Sequence, residues 1–286
     1  MKQRCLSLVN YTSQKASTES KLKYLKKFIS NYSSAIVAYS GGIDSSLIAQ
    51  LTNDVLGKNN TLVVIAVSPS LNQKEFKLAT NLAETNNWNF KPIFTEEFDN
   101  DNYLKNDISR CFHCKFELYE KLEKIFDLED YQAIFNGTNF DDLGDFRPGL
   151  DAAKKKNIVS PLVKCKITKN EVRQIAKLIG LPNWDKPAQP CLSSRVPYGT
   201  RISMDSLKRI EKAENFLSDI GFSNFRVRMH GDLAKIEVSE KDFAKFSNYK
   251  VREKIVNNFK NFGFKFVSLD LMFFNSGNLS RAQFDE

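Results

Sequence analysis

Histidine is scarce in this 286-residue chain, which holds only His113 and His230. That argues against histidine-rich metal centres and leaves little room for a histidine-based catalytic triad. Long apolar runs are missing too. Nothing approaches the roughly 18 consecutive apolar residues of a membrane-spanning helix, so no membrane association is expected. Residues Met1 to Ser20 are polar and lack the apolar segment of an export signal, which leaves the cytoplasm as the expected location. Basic residues are numerous but not clustered. The net charge is +8, and its even spread suits a solvated lysine-rich surface or a small anionic ligand better than a nucleic-acid track. No nucleic-acid partner is expected. Two common nucleotide signatures are absent: Gly-x-x-x-x-Gly-Lys-[Ser/Thr] and Gly-x-Gly-x-x-Gly.

What is present is concentrated between residues 34 and 51. The apolar run Ser34-Ala-Ile-Val-Ala-Tyr39 leads straight into Ser40-Gly-Gly-Ile-Asp-Ser-Ser46. This pattern predicts a strand, a glycine turn and a helix from about Asp44 to Leu51. Gly41 and Gly42 lack a Cβ, so the backbone can turn sharply and present N–H groups to an anion. The helix would point its positive end at the same place. Ser40, Ser45 and Ser46 add hydroxyl donors. A phosphate site is therefore expected. Ser-Gly-Gly-x-Asp-Ser resembles the pyrophosphate loop, or PP-loop, of the N-type ATP pyrophosphatases. Those enzymes cleave ATP between the α and β phosphates and adenylate a substrate.

Along the chain, Leu22, Leu25, Phe28 and Ile29 predict a helix over 18–30. Thr61 to Val67 is a continuous β-branched run, as in a strand buried on both faces. Helices are expected over 72–86, 115–126 and 168–180, with a short strand at 90–94 and an apolar stretch at 131–135. Gly180 and Pro182 mark the end of the last of these helices. Strands alternating with helices predict an α/β fold: a Rossmann-like, doubly wound parallel sheet. The pattern changes near residue 200. A helix over 204–219 precedes paired strands at 225–229 and 234–238 around Gly231. Helical stretches at 240–247 and 250–262 and a strand at 264–271 follow. This is a smaller C-terminal α+β module. The connector from Pro187 to Pro197 carries three prolines. The expected domains are 1–190, for ATP, and 191–286, for substrate or oligomerisation; a homo-oligomer is expected.

Five cysteines are present: Cys5, Cys111, Cys114, Cys165 and Cys191. The odd number argues against a disulfide framework. Cys111-Phe-His-Cys114 is a Cys-x-x-Cys pair, and Cys191 stands in Gln-Pro-Cys-Leu-Ser-Ser-Arg. Spacing alone leaves four readings open. One is a structural zinc with Cys165, His113 or Cys5 as a further ligand. The others are a redox dithiol, buried inert cysteines, and a 4Fe–4S cluster on three cysteines with one iron open.

Further motifs narrow this. They are Arg-Cys-Phe-His-Cys-Lys at 110–115, Gly-Thr-Asn-Phe-Asp-Asp at 137–142 and Asp145-Phe-Arg-Pro-Gly149. Ser160-Pro-Leu162, Gly180-Leu-Pro-Asn-Trp-Asp-Lys-Pro187, Cys191-Leu-Ser-Ser-Arg195 and Phe225-Arg-Val-Arg-Met-His-Gly231 follow. With the loop at 40–46, these make nearly the whole chain resemble the LarE family, the sulfur transferases of the nickel-pincer nucleotide pathway. In one branch of that family a single cysteine surrenders its own sulfur and becomes dehydroalanine. In the other, three cysteines hold a 4Fe–4S cluster whose open iron carries a hydrosulfide. Cys111, Cys114 and Cys191 make this chain resemble the cluster branch.

The resemblance implies ATP, Mg²⁺ and a 4Fe–4S cluster as cofactors, and a sulfide donor as partner. It implies pyridinium-3,5-biscarboxylic acid mononucleotide as substrate. A carboxylate resists nucleophiles because it is anionic and has no good leaving group. Adenylation supplies that leaving group, and sulfide then attacks to give a thiocarboxylate. Cys191 and Asp44 are the expected catalytic residues, Asp44 through magnesium. Gly137 is expected to join Ser40, Gly41, Gly42, Asp44, Ser45 and Ser46 at ATP. Arg195, Arg226 and Arg228 are candidates for the substrate phosphate, because arginine offers a planar fork. Arg226 and Arg228 alternate onto one strand face. Asp141, Asp142 and Asp145 are candidates for metal or substrate, and Trp184 reads as a packing residue. The competing functions are an amide or NAD-type synthetase using ammonia, a tRNA thiolase, and a non-catalytic nucleotide sensor or iron–sulfur carrier.

Overall fold

The computed structural model describes residues 17–144 and 148–274. Cys5 and Asp145 lie outside the described residues. A helix, α1, covers 17–29. The strands β1 (Ala35–Tyr39), β2 (Thr61–Val67), β3 (Phe90–Phe94) and β4 (Ala133–Phe135) form one sheet in the order β3-β2-β1-β4. Every pairing in it is parallel, with Ala35 opposite both Thr61 and Ala133. An isolated parallel bridge from Phe135 to Val159 continues the ladder beyond β4.

Parallel neighbours need crossover connections, and helices supply them. They are α2 (Ile43–Leu56), α3 (Gln73–Thr85) and, after the short α4 (Asp101–Leu104), α5 (Arg110–Leu128). The chain continues through α6 (Pro148–Lys155), α7 (Pro161–Lys164) and α8 (Lys169–Leu178). Ile36, Leu62, Val64 and Ile134 pack one sheet face against Leu118 and Leu122 of α5 and Ala152 and Ala153 of α6. On the other side α2 lies against β1 and α8. Both faces are covered, which is why β1 and β2 read as unbroken apolar runs. This is the expected doubly wound α/β arrangement.

The C-terminal part is built from α9 (Met204–Asp219), β5 (Phe225–His230), β6 (Leu233–Val238), α10 (Glu240–Phe243), α11 (Tyr249–Asn261) and β7 (Phe266–Leu269). β5 and β6 form an antiparallel hairpin, and β7 joins β6 in parallel. Val227, Ala234, Ile236 and Val238 pack with Ala213, Leu217, Ile255 and Phe259 of the two long helices. Side chains alternate along a strand, so Arg226 and Arg228 leave β5 on the face opposite Val227.

The chain divides into two compact units. Among the described residues, the first takes in 17–68, Glu75–Glu97, 111–144 and 148–187, and the second takes in Pro69–Lys74, Phe98–Arg110 and 188–274. Two segments of the N-terminal half thus group with the C-terminal module, and the division after that half falls at Pro187. Among the described residues no helix is long and apolar enough to cross a membrane.

Candidate active site

β1 delivers the loop from the middle of the sheet. Gly41 takes φ +74°, and a Cβ on it would stand 3.0 Å from Ala79 Cβ; both facts require glycine. Gly42 is the N-cap of α2. Its carbonyl accepts from Ser45 Oγ at 3.0 Å, Ser46 Oγ at 2.9 Å and Ser46 N at 3.0 Å. Ser40 N donates to Ser45 Oγ at 3.1 Å. The hydroxyls of Ser45 and Ser46 therefore brace the turn, while Ser40 is exposed. Asn183 Nδ2 donates to Ser46 Oγ at 2.9 Å. Burial pushes the nearby Tyr39 hydroxyl up to about 12, so it stays neutral and donates to Ala79 O at 3.3 Å.

Gly137 follows β4 and runs against the first turn of α2. A Cβ at Gly137 would meet Ser45 N at 2.6 Å and Ser45 Cα at 2.8 Å. Only glycine lets the two segments close to this distance. Beyond it, buried Asn139 donates from Nδ2 to Asp44 Oδ1 at 3.2 Å. Lys169 Nζ contacts Asp44 Oδ2 in a short charge-assisted hydrogen bond. Asp141 Oδ2 accepts from Lys169 N at 2.8 Å, and Asp142 Oδ2 from Asn139 N at 3.0 Å. Both aspartates thus shape the loop that presents Asn139 and Lys169 to Asp44.

Sequence reasoning missed Lys169 and Lys186. Lys169 had one available signal: a lysine in the first turn of a helix opposes the helix dipole, which calls for a partner such as Asp44. Lys186 lies in the 180–187 motif. Its Nζ sits 2.6 Å from Glu75 Oε2 and 3.5 Å from Gly41 O. Each lysine is paired with a carboxylate, Lys169 with Asp44 and Lys186 with Glu75, so the positive character of the turn comes from the N–H groups at the start of α2. Trp184 is half-buried, with Lys177 Nζ 4.5 Å from its ring centre.

α5 begins at Arg110, five residues earlier than expected, so Cys111 and Cys114 lie on its first turns. Spaced i, i+3, they share one helix face. Both are half-buried, Cys191 is exposed, and none of the three is in a disulfide. Cys165 is different. It is buried, and burial pushes its thiol up to about 11, which keeps it protonated and a poor metal ligand. Among the described residues no group of three or more His, Cys, Asp or Glu side chains is gathered as for a metal ion. Cys111 and Cys114 belong to the first unit and Cys191 to the second. Cys111 and Cys114 thus offer two thiols one helical turn apart, and Cys191 offers an exposed one in the second unit.

The Cys191 loop is held by arginines. Arg195 was expected at the substrate phosphate, but it is 2% exposed and its donors are engaged internally. Its Nε and Nη2 make a bidentate pair with Glu214 at 3.0 and 2.9 Å. Its Nη1 donates to Pro190 O at 2.6 Å, Cys191 O at 3.0 Å and Ser194 Oγ at 2.9 Å. Arg228 repeats the pattern, with Nε and Nη2 on Glu237 at 3.1 Å each and Nη1 on Ser194 O at 2.7 Å. Arg226 donates to Phe225 O at 2.7 Å and Ala188 O at 2.8 Å and has no carboxylate partner among the described residues. Burial, followed by the charge of Arg195, pulls the Arg226 guanidinium down to about 10. Arg226 and Arg228 do share a face, and of the three arginines Arg226 has the most donor capacity left for an incoming anion.

A family model described as NAD synthase matches residues 17–106, the part that carries the loop. A pyridinium-3,5-bisthiocarboxylic acid mononucleotide synthase of Lactiplantibacillus plantarum is 34% identical over 244 residues, which is 85% of this chain and 88% of that protein. The chain belongs to that family, the LarE family. An uncharacterised protein of Synechocystis sp. is 43% identical over 264 residues, 92% of this chain and 98% of the other. Another, from Methanocaldococcus jannaschii, is 37% identical over 243 residues, 84% and 90% of the two chains. This LarE-family chain is an ATP-using enzyme whose chemistry is adenylation and sulfur transfer.

Proposed function

We propose that the enzyme adenylates a carboxylate of pyridinium-3,5-biscarboxylic acid mononucleotide and replaces the activated oxygen with sulfur. We further propose Cys111, Cys114 and Cys191 as the thiolates of a 4Fe–4S cluster. The observation that carries the reading is an exposed Cys191 on an arginine-held loop in a chain that also has the Ser40–Ser46 pyrophosphate loop. In the first step a substrate carboxylate oxygen bonds to the α-phosphorus of ATP, and the α–β bridge breaks to release pyrophosphate. The backbone N–H groups of Gly41 and Gly42 and the charge of Lys186 receive the pyrophosphate. Asp44, set by Asn139 and Lys169, would offer a carboxylate to Mg²⁺, which would offset the charge of the departing pyrophosphate. In the second step sulfide attacks the acyl carbon, and the C–O bond to phosphate breaks. A thiocarboxylate and AMP leave. Cys111, Cys114 and Cys191 would hold the cluster, which when bound would supply the nucleophilic sulfur. Arg226 is assigned to the substrate phosphate, and Arg195 and Arg228 to holding the Cys191 loop.

The test is anaerobic reconstitution with iron and sulfide, followed by iron analysis and mass spectrometry of the product. Wild type should bind iron that a Cys111→Ala, Cys114→Ala, Cys191→Ala variant does not bind, and should form a thiocarboxylate and AMP. Equal iron in the two proteins would sink the cluster assignment. The NAD synthase match over 17–106 favours one second reading, an ammonia-dependent amide synthetase. A nitrogen-containing product in place of a sulfur-containing one would establish it.

A further inference from the structure

Asn106 is fully buried yet adopts a left-handed backbone with φ +55°. Both features are unfavourable for a residue that only fills space. Its amide accounts for them. Nδ2 donates to Pro197 O at 2.8 Å, Thr200 O at 3.0 Å and Val196 O at 3.3 Å. Oδ1 accepts from Arg110 Nη1 at 2.6 Å, and the Asn106 carbonyl accepts from Gly199 N at 3.0 Å. Arg110 Nη1 also donates to Ser193 O at 3.0 Å. Next to it, Tyr103 Oη lies 2.7 Å from Ser193 Oγ, both buried. All these residues belong to the second unit. Arg110 immediately precedes Cys111 in the chain, and Ser193 stands two residues after Cys191. A short run of bonds therefore leads from Cys191 through Ser193 to Arg110 and Asn106.

We propose that Asn106 and Arg110 are positioning residues that hold the Cys191 segment and thereby set the direction and exposure of its thiol. This rests on the three-cysteine reading above. Neither residue is among those assigned to ATP or to the substrate phosphate, so losing them should spare adenylation and impair sulfur transfer.

The test uses the full-length chain as wild type and Asn106→Gly. Glycine keeps the left-handed backbone open and removes the amide. Three quantities are measured: ATP–pyrophosphate exchange with pyridinium-3,5-biscarboxylic acid mononucleotide, iron retained against a chelator after anaerobic reconstitution, and the alkylation rate of Cys191 by iodoacetamide in iron-free protein. Exchange should stay near wild type. Iron affinity should fall by about 10- to 100-fold, the usual effect of losing an outer-shell partner, and Cys191 should alkylate faster. Wild-type iron retention and wild-type alkylation would together overturn the proposal. If even wild type takes up no iron, the three-cysteine reading has failed, and an unchanged alkylation rate then overturns the clamp as well. If Asn106→Gly loses exchange along with iron, Arg110→Lys decides on the same readouts, since lysine cannot bridge Asn106 Oδ1 and Ser193 O as a guanidinium does.

Discussion

Gly137 approaches Ser45 so closely that a Cβ on the glycine would stand 2.6 Å from the Ser45 amide nitrogen. The loop after β4 is thereby set against the pyrophosphate loop with no room for a methyl group. Gly137→Ala should force the two segments apart, at an overpacking cost of about 1–3 kcal/mol. ATP–pyrophosphate exchange should fall by on the order of 10²-fold, because small displacements of positioning groups are expensive. Exchange kinetics beside a thermal melt check this, and an alanine variant with wild-type exchange would refute it.

Asp44 shares its carboxylate between Lys169 and Asn139. If Mg²⁺ is to use that carboxylate, the Lys169 ammonium competes with it. Lys169→Ala should then lower the Mg²⁺ concentration that gives half-maximal pyrophosphate release. Asp44→Asn should raise it by about tenfold or more, equivalent to at least ~1.4 kcal/mol. A magnesium titration of both variants separates this from a purely structural ion pair, for which neither midpoint would move.

Arg195 and Glu214 form a bidentate pair in which the side chains are 2% and 8% exposed. Removing one partner leaves an uncompensated buried charge. Glu214→Gln should destabilise the protein by about 3–5 kcal/mol and loosen the carbonyls of Pro190 and Cys191 that Arg195 holds. Denaturant unfolding gives the number; a loss below about 1 kcal/mol would mean the pair behaves as a surface bridge.

Asp242 contributes to the acid response of the C-terminal module, where Asp270 is also held below the usual carboxylate range. Burial alone would raise the Asp242 carboxyl, but Lys245 at 2.6 Å and Ser223 at 2.9 and 3.0 Å outweigh that and hold it down at about 2. A depressed folded-state value adds stability above the ordinary carboxylate range, and that stability is lost as pH falls from about 4 towards 2. Asp242→Asn should flatten the stability curve across that window while leaving its upper end lower than wild type. Urea midpoints between pH 2 and 5 test it, and parallel curves for the two proteins would count against the assignment.

The elements with a strong local signature are legible in the sequence. The β-branched run at 61–67 and the helix at 204–219 have the bounds that their side-chain patterns predict. The turn at Gly41–Gly42 follows from two missing Cβ atoms. Legibility fails where the pattern is weak. Arg-Cys-Phe-His-Cys-Lys has no helical apolar stripe, yet it forms the start of α5, which packs through later residues such as Leu118 and Leu122. No element is expected over 98–110, where order comes from Asn106 and its distant partners.

By itself the sequence determined the doubly wound sheet, the glycine turn that opens α2 and the inventory of cysteines, since backbone preference and side-chain chemistry act over a few neighbouring residues. Only the tertiary structure decided what each charged side chain faces. Arg195 and Arg228 turn inward to Glu214 and Glu237, leaving Arg226 without a carboxylate partner among the described residues. Asp44 meets Lys169 across 125 positions of chain. Contacts over such separations depend on strand register and helix placement, and a buried charge takes whichever partner that packing brings within hydrogen-bond reach.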